Sequence, residues 1–138
     1  MTKEEIFGFL NRNPVFFLAT KDADQPRVRA MRLMAADDEG IVFYTSKLKD
    51  LYRQLQEHRQ VELCFLDRHE ERQVRVDGKA EISDDIAIRK KIVERQAFLI
   101  PIVEKHGYEV IVPYFLREAR AFVWDMKTNF LPKTYIPL

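Results

Sequence analysis

The chain has 138 residues, which favours one domain, and 46% of them are hydrophobic and 12% aromatic, enough for a folded core and against disorder. Its 23 basic and 22 acidic residues leave a net charge of +1, which gives no support to non-specific binding of nucleic acid or membrane. The single cysteine, Cys64, excludes a disulfide framework or a cysteine metal cluster. No apolar run approaches the roughly 20 residues of a membrane span, and the first residues lack a signal-peptide core, so we expect a cytoplasmic protein.

The first twenty residues predict a helix followed by a buried strand. Thr2 and Glu5 have the spacing of a capping box, and the apolar residues that follow recur at helical spacing as far as the Asn-Arg-Asn-Pro stop at residues 11–14. Residues 15–20 form a short apolar run bounded by Pro14 and by a turn at residues 22–26. Such a run between turn residues is typical of a buried strand.

Residues 27–44 predict a β-hairpin that leads into a helix. The first strand alternates and carries three arginines, a segment with Asp, Glu and Gly forms the turn, and the second strand is apolar. The second strand stops at Thr45 and Ser46, where we expect a helix over residues 47–57 to begin, with one apolar face.

The second half predicts further strands and two helical segments. Strands are expected at residues 61–66 and 73–82, and Gly78 within the second one indicates a bulge or a close backbone approach. Ser83 is expected to cap a helix that runs to about Gln96, followed by a proline-broken apolar segment at residues 98–103 that suits a short helix. Residues 108–115 and 119–126 read as two more strands, and the apolar tail at residues 132–138 is expected to pack on its own body or on a partner.

These elements amount to about six strands and three or four helices, mostly in antiparallel hairpin order. That order predicts a small β-barrel with helices rather than a doubly wound sheet. No Gly-x-Gly-x-x-Gly or Walker sequence accompanies them, and the chain has only four glycines.

The predicted helix start is a candidate phosphate site. Free backbone N–H groups favour an anion there, and Ser46, Lys47 and Lys49 add donors and charge. Capping residues are commoner than phosphate sites, so a plain N-cap with solvated lysines is an equal alternative. Arg27 and Arg29 share one face of the predicted hairpin strand and should approach Thr45 from across the hairpin, and guanidinium groups match phosphate well.

Other reactive residue types show no catalytic or metal-binding pattern. His58, His69 and His106 lack metal-ligand spacing and are interpreted as surface or turn residues. Cys64 has no histidine at motif spacing and is interpreted as structural, and no Gly-x-Ser-x-Gly sequence occurs. Trp124 suits the core or an interface better than stacking on a ligand. The catalytic residues, if any, are therefore unknown.

Several segments together resemble the pyridoxamine 5'-phosphate oxidase-like family of FMN-binding split β-barrels. Each segment is weakly specific alone, whereas their order and spacing along nearly the whole chain are fairly specific. They are Asn-Pro-Val-Phe-Phe-Leu-Ala-Thr at residues 13–20, Gln-Pro-Arg-Val-Arg at 25–29, Gly-Ile-Val-Phe-Tyr-Thr at 40–45, Lys-Asp-Leu-Tyr-Arg-Gln-Leu at 49–55, Val-Glu-Leu at 61–63 and Arg-Gln-Val-Arg-Val-Asp-Gly-Lys-Ala-Glu at 72–81.

The resemblance implies a single domain over residues 1–138: a mainly β (α+β), six-stranded antiparallel split β-barrel of Greek-key type with flanking helices. It also implies a homodimer with FMN at the subunit interface. Arg29 matches the arginine that reaches the flavin phosphate, and Lys49 lies near the family's basic phosphate-binding residue. The implied cofactor-binding set is Arg27, Arg29, Ala30, Met31, Tyr44, Thr45, Ser46, Lys47, Lys49 and Gln73.

Departures from the oxidases of this family make vitamin B6 oxidation doubtful. The chain has no Arg-x-His, and Met34 stands where the oxidases carry a lysine. We therefore expect a flavin-dependent oxidoreductase acting on an unknown small substrate. A non-catalytic protein that binds flavin or haem for storage or sensing is the main alternative. A barrel for single-stranded nucleic acid is weaker, because such grooves need a net basic track, and we expect neither nucleic-acid nor membrane partners.

Overall fold

We describe a computed structural model that covers residues 1–138. One mainly antiparallel sheet of eight strands, in the order β2-β1-β5-β6-β7-β4-β3 with β8 paired to β7, curls into a split barrel. The predicted fold class is thereby confirmed, and six of the strands are long. The strands are β1 (Val15–Asp22), β2 (Gln25–Arg32), β3 (Ala35–Asp37), β4 (Gly40–Ser46), β5 (Gln60–Asp67), β6 (Arg72–Ile82), β7 (Ile111–Trp124) and β8 (Tyr135–Pro137).

Four α-helices flank the barrel, and none is long and apolar enough to cross a membrane. The first begins at the predicted capping box, in which Thr2 and Glu5 exchange hydrogen bonds. The helices are α1 (Lys3–Arg12), α2 (Asp50–Glu57), α3 (Ile86–Arg95) and α4 (Ile100–His106).

Alternation along the strands builds the core. Phe16 on β1 lies inside the barrel, stacked on Phe65 of β5 with ring centroids 4.9 Å apart, while Phe43 of β4 meets it edge-on at 5.9 Å. Phe17, one residue further on, points to the outer face and is 44% exposed. The two faces of β1 therefore separate a packed aromatic core from an outer surface that is partly apolar.

Gly78 lies at a bulge and at a close backbone approach, the two features predicted for it. The pairing of β6 with β7 shifts register between Asp77 and Lys79, as at a β-bulge. A Cβ atom added at Gly78 would lie 2.8 Å from the carbonyl oxygen of Arg117. Glycine is therefore required here by close backbone approach.

The predicted hairpin of residues 27–44 is wrong. The strand β2 pairs with β1 through a two-residue turn, with Asp22 opposite Gln25, whereas β4 pairs with the short strand β3 and with β7. Period-two alternation identifies a strand but does not select its partner. Between β2 and β3, the N–H of Leu33 donates to the carbonyl oxygen of Pro14 at 2.7 Å and the N–H of Met34 donates to that of Val42 at 2.9 Å.

Three other predictions about helix starts and strands differ from the structure. The second helix begins at Asp50, with Lys49 as its N-cap, rather than at Ser46. Asp85, not Ser83, caps α3 by accepting a hydrogen bond from the N–H of Ala87. The two last predicted strands are one strand, β7, in which Glu118 has a φ of 52° where the pairing with β6 shifts register.

The helical segment after β6 packs as a separate small cluster against the barrel. Its buried residues Ile92, Val93 and Leu99 meet Val110 and Ile111 at the start of β7. The apolar tail forms β8, and Ile136 and Leu138 pack against the main core. This arrangement confirms that the tail covers its own body and sets α4 beside the end of β4.

Candidate functional site

A groove of about 1000 Å³ opens at the split of the barrel. Its walls are the edge strand β2, the end of β4, the start of α2 and the residues around the start of α4. It brings together eight of the ten predicted cofactor-binding residues, and the other two, Lys47 and Gln73, are not among its lining. The eight are Arg27, Arg29, Ala30, Met31, Tyr44, Thr45, Ser46 and Lys49.

The arginines reach this groove from the inner side of the sheet. Arg29 is in register with Leu18 and Arg27 with Thr20 of β1, and both partners are buried. Arg27 and Arg29 therefore share a face, as alternation predicts. Their approach to Thr45 results from closure of the barrel rather than from the hairpin that the sequence suggested.

Arg29 is held by three neutral oxygen atoms. Its Nη1 donates to the carbonyl oxygen of Leu18 at 3.2 Å and to Oγ1 of Thr20 at 2.7 Å. Its Nη2 donates to Oε1 of Gln54 at 2.7 Å. No carboxylate forms a salt bridge with Arg29. Burial and the neighbouring positive charge of Arg27 lower the pKa of its guanidinium.

One edge of the Arg29 guanidinium is left for a ligand. Arginine carries five N–H donors in a planar fork, and the contacts described above use three of them. The Nε–H and the second Nη2–H are not used within the chain, and these two donors point the same way along one edge. Such a parallel pair matches two oxygen atoms of a phosphate or carboxylate.

Arg27 differs from Arg29 because its charge is already paired. Its Nε lies 3.3 Å from Oδ2 of Asp22, whose other oxygen is 3.1 Å from Nη1 of Arg53. The hydrogen bond from Arg53, and then that from Arg27, hold the pKa of Asp22 below its usual value. Arg29 is therefore a partly buried cation of the groove with no carboxylate partner, whereas Arg32 and Lys49, which also form no salt bridge, are exposed.

The end of β4 supplies hydroxyl groups rather than a helix start. The backbone N–H groups of Lys47 and Lys49 are already used, by the carbonyl oxygen atoms of Val110 and Ser46. Thr45 and Ser46 are buried, and Oγ of Ser46 accepts a hydrogen bond from the N–H of Leu48 at 3.2 Å. Lys49 occupies the N-cap of α2 without a side-chain capping bond. The first turn of this helix is thus available to an anion, although Asp50 also lies there.

Lys47 is exposed and outside the groove lining. Its backbone N–H is used by a hydrogen bond to the carbonyl oxygen of Val110 at 2.9 Å. Lys47 forms no salt bridge, so its ammonium adds positive charge near the groove mouth without being fixed in place.

Gln73 lies on the outer face of the sheet, in a second and smaller groove of about 330 Å³. It is in register with Trp124, and its Oε1 is the acceptor for the thiol of Cys64 at 3.8 Å. Burial raises the pKa of that thiol, which fits the structural role expected for Cys64. The lining of this groove is Gln73, Arg75, Phe122, Trp124, Asn129, Leu131 and Lys133.

Sequence reasoning missed several residues of the main groove. Gln54 had a signal: it stands between Leu51 and Leu55 on the apolar stripe of α2, where a polar residue is unusual. Thr20, which bonds Arg29 but is not part of the groove lining, gave a weaker signal at the end of an apolar run. The apolar wall formed by Phe98, Leu99 and Ile102 had none, since it comes from a segment about fifty residues further along the chain.

Chemically, the groove combines an anion-binding end with an apolar wall. None of the three histidines lines it, and its ionisable side chains besides the basic residues are Asp22, Asp50 and Tyr44. Burial raises the pKa of Tyr44, which keeps its hydroxyl protonated at neutral pH. The side chains therefore suit binding and orientation of a planar anionic molecule, and they include no evident general base.

Comparison with known proteins identifies relatives of both sequence and fold. Residues 2–107 match the sequence profile of a family described as pyridoxamine 5'-phosphate oxidase. A pyridoxine/pyridoxamine 5'-phosphate oxidase of Rhizobium etli is 41% identical over 69 residues, which are 49% of this chain and 34% of that protein. The matched region thus spans about a third of the length of this curated relative.

Two solved structures share the fold at low identity. A NimC/NimA family protein of Clostridium acetobutylicum superposes with a TM-score of 0.76 at 17% identity, covering 99% of this chain and 93% of the other. HutZ, described as the haem storage protein of Vibrio cholerae, gives a TM-score of 0.61 at 21% identity, covering 84% and 89%. These likenesses show the split-barrel fold and extend over almost the whole chain in the first case.

Proposed function

The chain belongs to the pyridoxamine 5'-phosphate oxidase family, and from this premise we propose that it binds FMN in the groove beside Arg29 and acts as a flavin-dependent oxidoreductase on a small substrate. The observation that carries the proposal is the unpaired, half-buried charge of Arg29 with one guanidinium edge left free. Burying a cation without a carboxylate partner costs free energy unless a bound anion pairs with it. The terminal phosphate of FMN is such an anion.

The residues of the groove divide into two sets for this cofactor. The phosphate end consists of Arg29 with Thr45, Ser46 and Lys49, and Lys47 adds exposed charge nearby. The ring end consists of the backbone and side chains of β2 from Arg27 to Met31, with Tyr44. FMN supplies hydride and single-electron transfer when bound, while the chain binds its phosphate, orients the ring and excludes water with the apolar wall around Phe98.

Gln73 enters this proposal only through a second copy of the chain. Its side chain lies on the outer face, away from the groove that holds Arg29. The same outer face exposes apolar side chains: Phe17 is 44% exposed, and Val28, which also lines the edge of the main groove, is 69% exposed. We therefore propose a homodimer that buries this face and carries Gln73 of each copy towards the flavin of the other.

The first experiment is an absorbance spectrum of the purified protein, before and after addition of FMN and desalting. A flavin band that survives desalting, at about one flavin per chain, supports the proposal. A spectrum without flavin after reconstitution contradicts it. Arg29→Ala provides the control, because the band should be lost or strongly reduced when only the phosphate anchor is removed.

A non-catalytic flavin or haem carrier is the second candidate. The observation that favours it is that Asp22, one of the two carboxylates in the groove, is already paired with Arg27 and Arg53, and the other, Asp50, is exposed in the first turn of α2. Flavin-loaded protein should be mixed with NADH, NADPH and a panel of quinones and aldehydes under stopped flow. Oxidation or reduction of the flavin at catalytic rates supports the enzyme, whereas tight binding without turnover supports the carrier.

A further inference from the structure

We propose that Gln54 is the positioning residue for the phosphate anchor, and that it fixes the selectivity of the groove for phosphorylated over unphosphorylated flavin. The proposal rests on the proposed FMN site and assigns a role within it to a residue of α2. Gln54 lines the groove, and its effect on the phosphate is transmitted through Arg29.

Gln54 is buried although its side chain is polar. Its side chain is 3% exposed, between the buried side chains Leu51 and Leu55, on the face of α2 that packs against the barrel. A buried amide is costly unless it is hydrogen-bonded. Its Oε1 accepts two short bonds, from Oγ1 of Thr20 at 2.6 Å and from Nη2 of Arg29 at 2.7 Å.

The same hydrogen bonds fix the orientation of the Arg29 guanidinium. Thr20 and Gln54 hold the two terminal nitrogen atoms of the guanidinium from one side, and Thr20 is itself bonded to Gln54. This closed triangle of hydrogen bonds restrains rotation of the guanidinium plane. The edge formed by Nε–H and the second Nη2–H then stays fixed as the free one, ready for a bidentate anion.

The atom that accepts the hydrogen bond from Nη2 of Arg29 is uncharged, because Oε1 of Gln54 belongs to an amide. A neutral amide orients the guanidinium and leaves its positive charge uncompensated. A carboxylate at the same place would orient it equally well but would satisfy its charge within the protein. Gln at position 54 therefore leaves Arg29 both oriented and electrostatically available, which is what recognition of a phosphate requires.

The test compares two ligands that differ only by the phosphate, FMN and riboflavin, by titration of flavin fluorescence with purified protein. In Gln54→Glu the preference for FMN over riboflavin should fall at least tenfold, the factor given by about 1.4 kcal/mol, while riboflavin affinity stays within about threefold. Gln56→Glu is the matched control: it places the same charge two residues further on the same helix at an exposed site, and should leave the preference unchanged within about twofold.

A second variant is needed because a buried glutamate at position 54 could prevent the protein from folding. Gln54→Met keeps an unbranched chain of similar length without an acceptor, so Arg29 should lose its orientation and the FMN preference should fall several-fold. Circular dichroism melting establishes that each variant is folded. A preference kept in both folded variants overturns the proposal.

The Arg29→Ala background separates this inference from the proposed function. If Gln54 acts through Arg29, Gln54→Met should not change the FMN preference further once Arg29 is absent. The neutral variant is used here because a glutamate would itself repel the phosphate. A wild-type protein that does not distinguish FMN from riboflavin would refute the phosphate site itself. A wild-type preference that Arg29→Ala removes and Gln54 variants leave intact would refute only the role of Gln54.

Discussion

Arg29 and Gln73 lie on opposite faces of the same sheet. Arg29 is in register with the buried Leu18, inside the barrel, whereas Gln73 is in register with Leu66 on the outer face. A ligand in the groove of one chain therefore meets Arg29 but not Gln73 of that chain. If both residues bind one flavin, as the family resemblance implies, two chains must share it.

Replacing Arg29 with alanine should weaken FMN binding by about 1.5–3 kcal/mol, the range for a hydrogen bond to a charged group. The reason is that no other cation in the groove combines partial burial with a free guanidinium edge. The dissociation constant from fluorescence titration measures the change. Arg68→Ala, in the exposed turn after β5, is the control, and equal losses in the two variants would remove Arg29 from the site.

Most of the fold was predictable because its elements carry local patterns. The capping box at Thr2 and Glu5, the alternation of β6 and the break at Gly78 are each determined by neighbouring residues. Local sequence patterns do not determine which strands pair with each other. The tight turn at Ala23, a non-glycine residue with a φ of 49°, joins β1 to β2, and this pairing displaced the predicted hairpin.

The site was predictable in part for the same reason. Arg27, Arg29, Thr45 and Lys49 were found because motif and charge mark them in the sequence, and they converge although the predicted route was wrong. The wall at Phe98 and Ile102 depends on how α4 packs, which involves contacts between distant segments. Gln54 was visible only as a polar interruption of an apolar stripe, and its partner Arg29 is 25 residues away.

Gly78→Ala should destabilise the fold by about 1–3 kcal/mol, as overpacking of a closed site does. The added Cβ would lie 2.8 Å from the backbone oxygen of Arg117, which cannot move without breaking the β6–β7 pairing. Urea unfolding measures the loss. Gly8→Ala is a control of opposite sign, because Gly8 is inside α1 and meets only the flexible end of Arg12, so alanine should stabilise by about 0.5–1 kcal/mol. Equal effects would contradict the steric account.

Asp22→Asn should change how stability depends on pH. The hydrogen bonds from Arg53 and Arg27 hold the pKa of Asp22 below 3.8, its ordinary value, so folding favours the ionised form. This stabilisation is complete above the unfolded-state pKa and is lost as the pH falls through the lower folded-state pKa. The gap between the urea midpoints of wild type and Asp22→Asn should therefore be widest at neutral pH and shrink below about pH 4. Asp24→Asn, which removes no ion pair, should show no such narrowing.

Phe17→Glu should convert a dimer into a monomer if the outer face of the sheet is the interface. Phe17 is 44% exposed, on the opposite side of β1 from the aromatic core, so a charge there should cost the isolated chain little. Buried against a second copy, the same carboxylate would be desolvated without a partner. Light scattering after gel filtration gives the mass, and FMN retention should fall with it. Ile86→Glu, at a site of similar exposure on α3, should remain dimeric. A Phe17→Glu protein that stays dimeric would place the interface elsewhere.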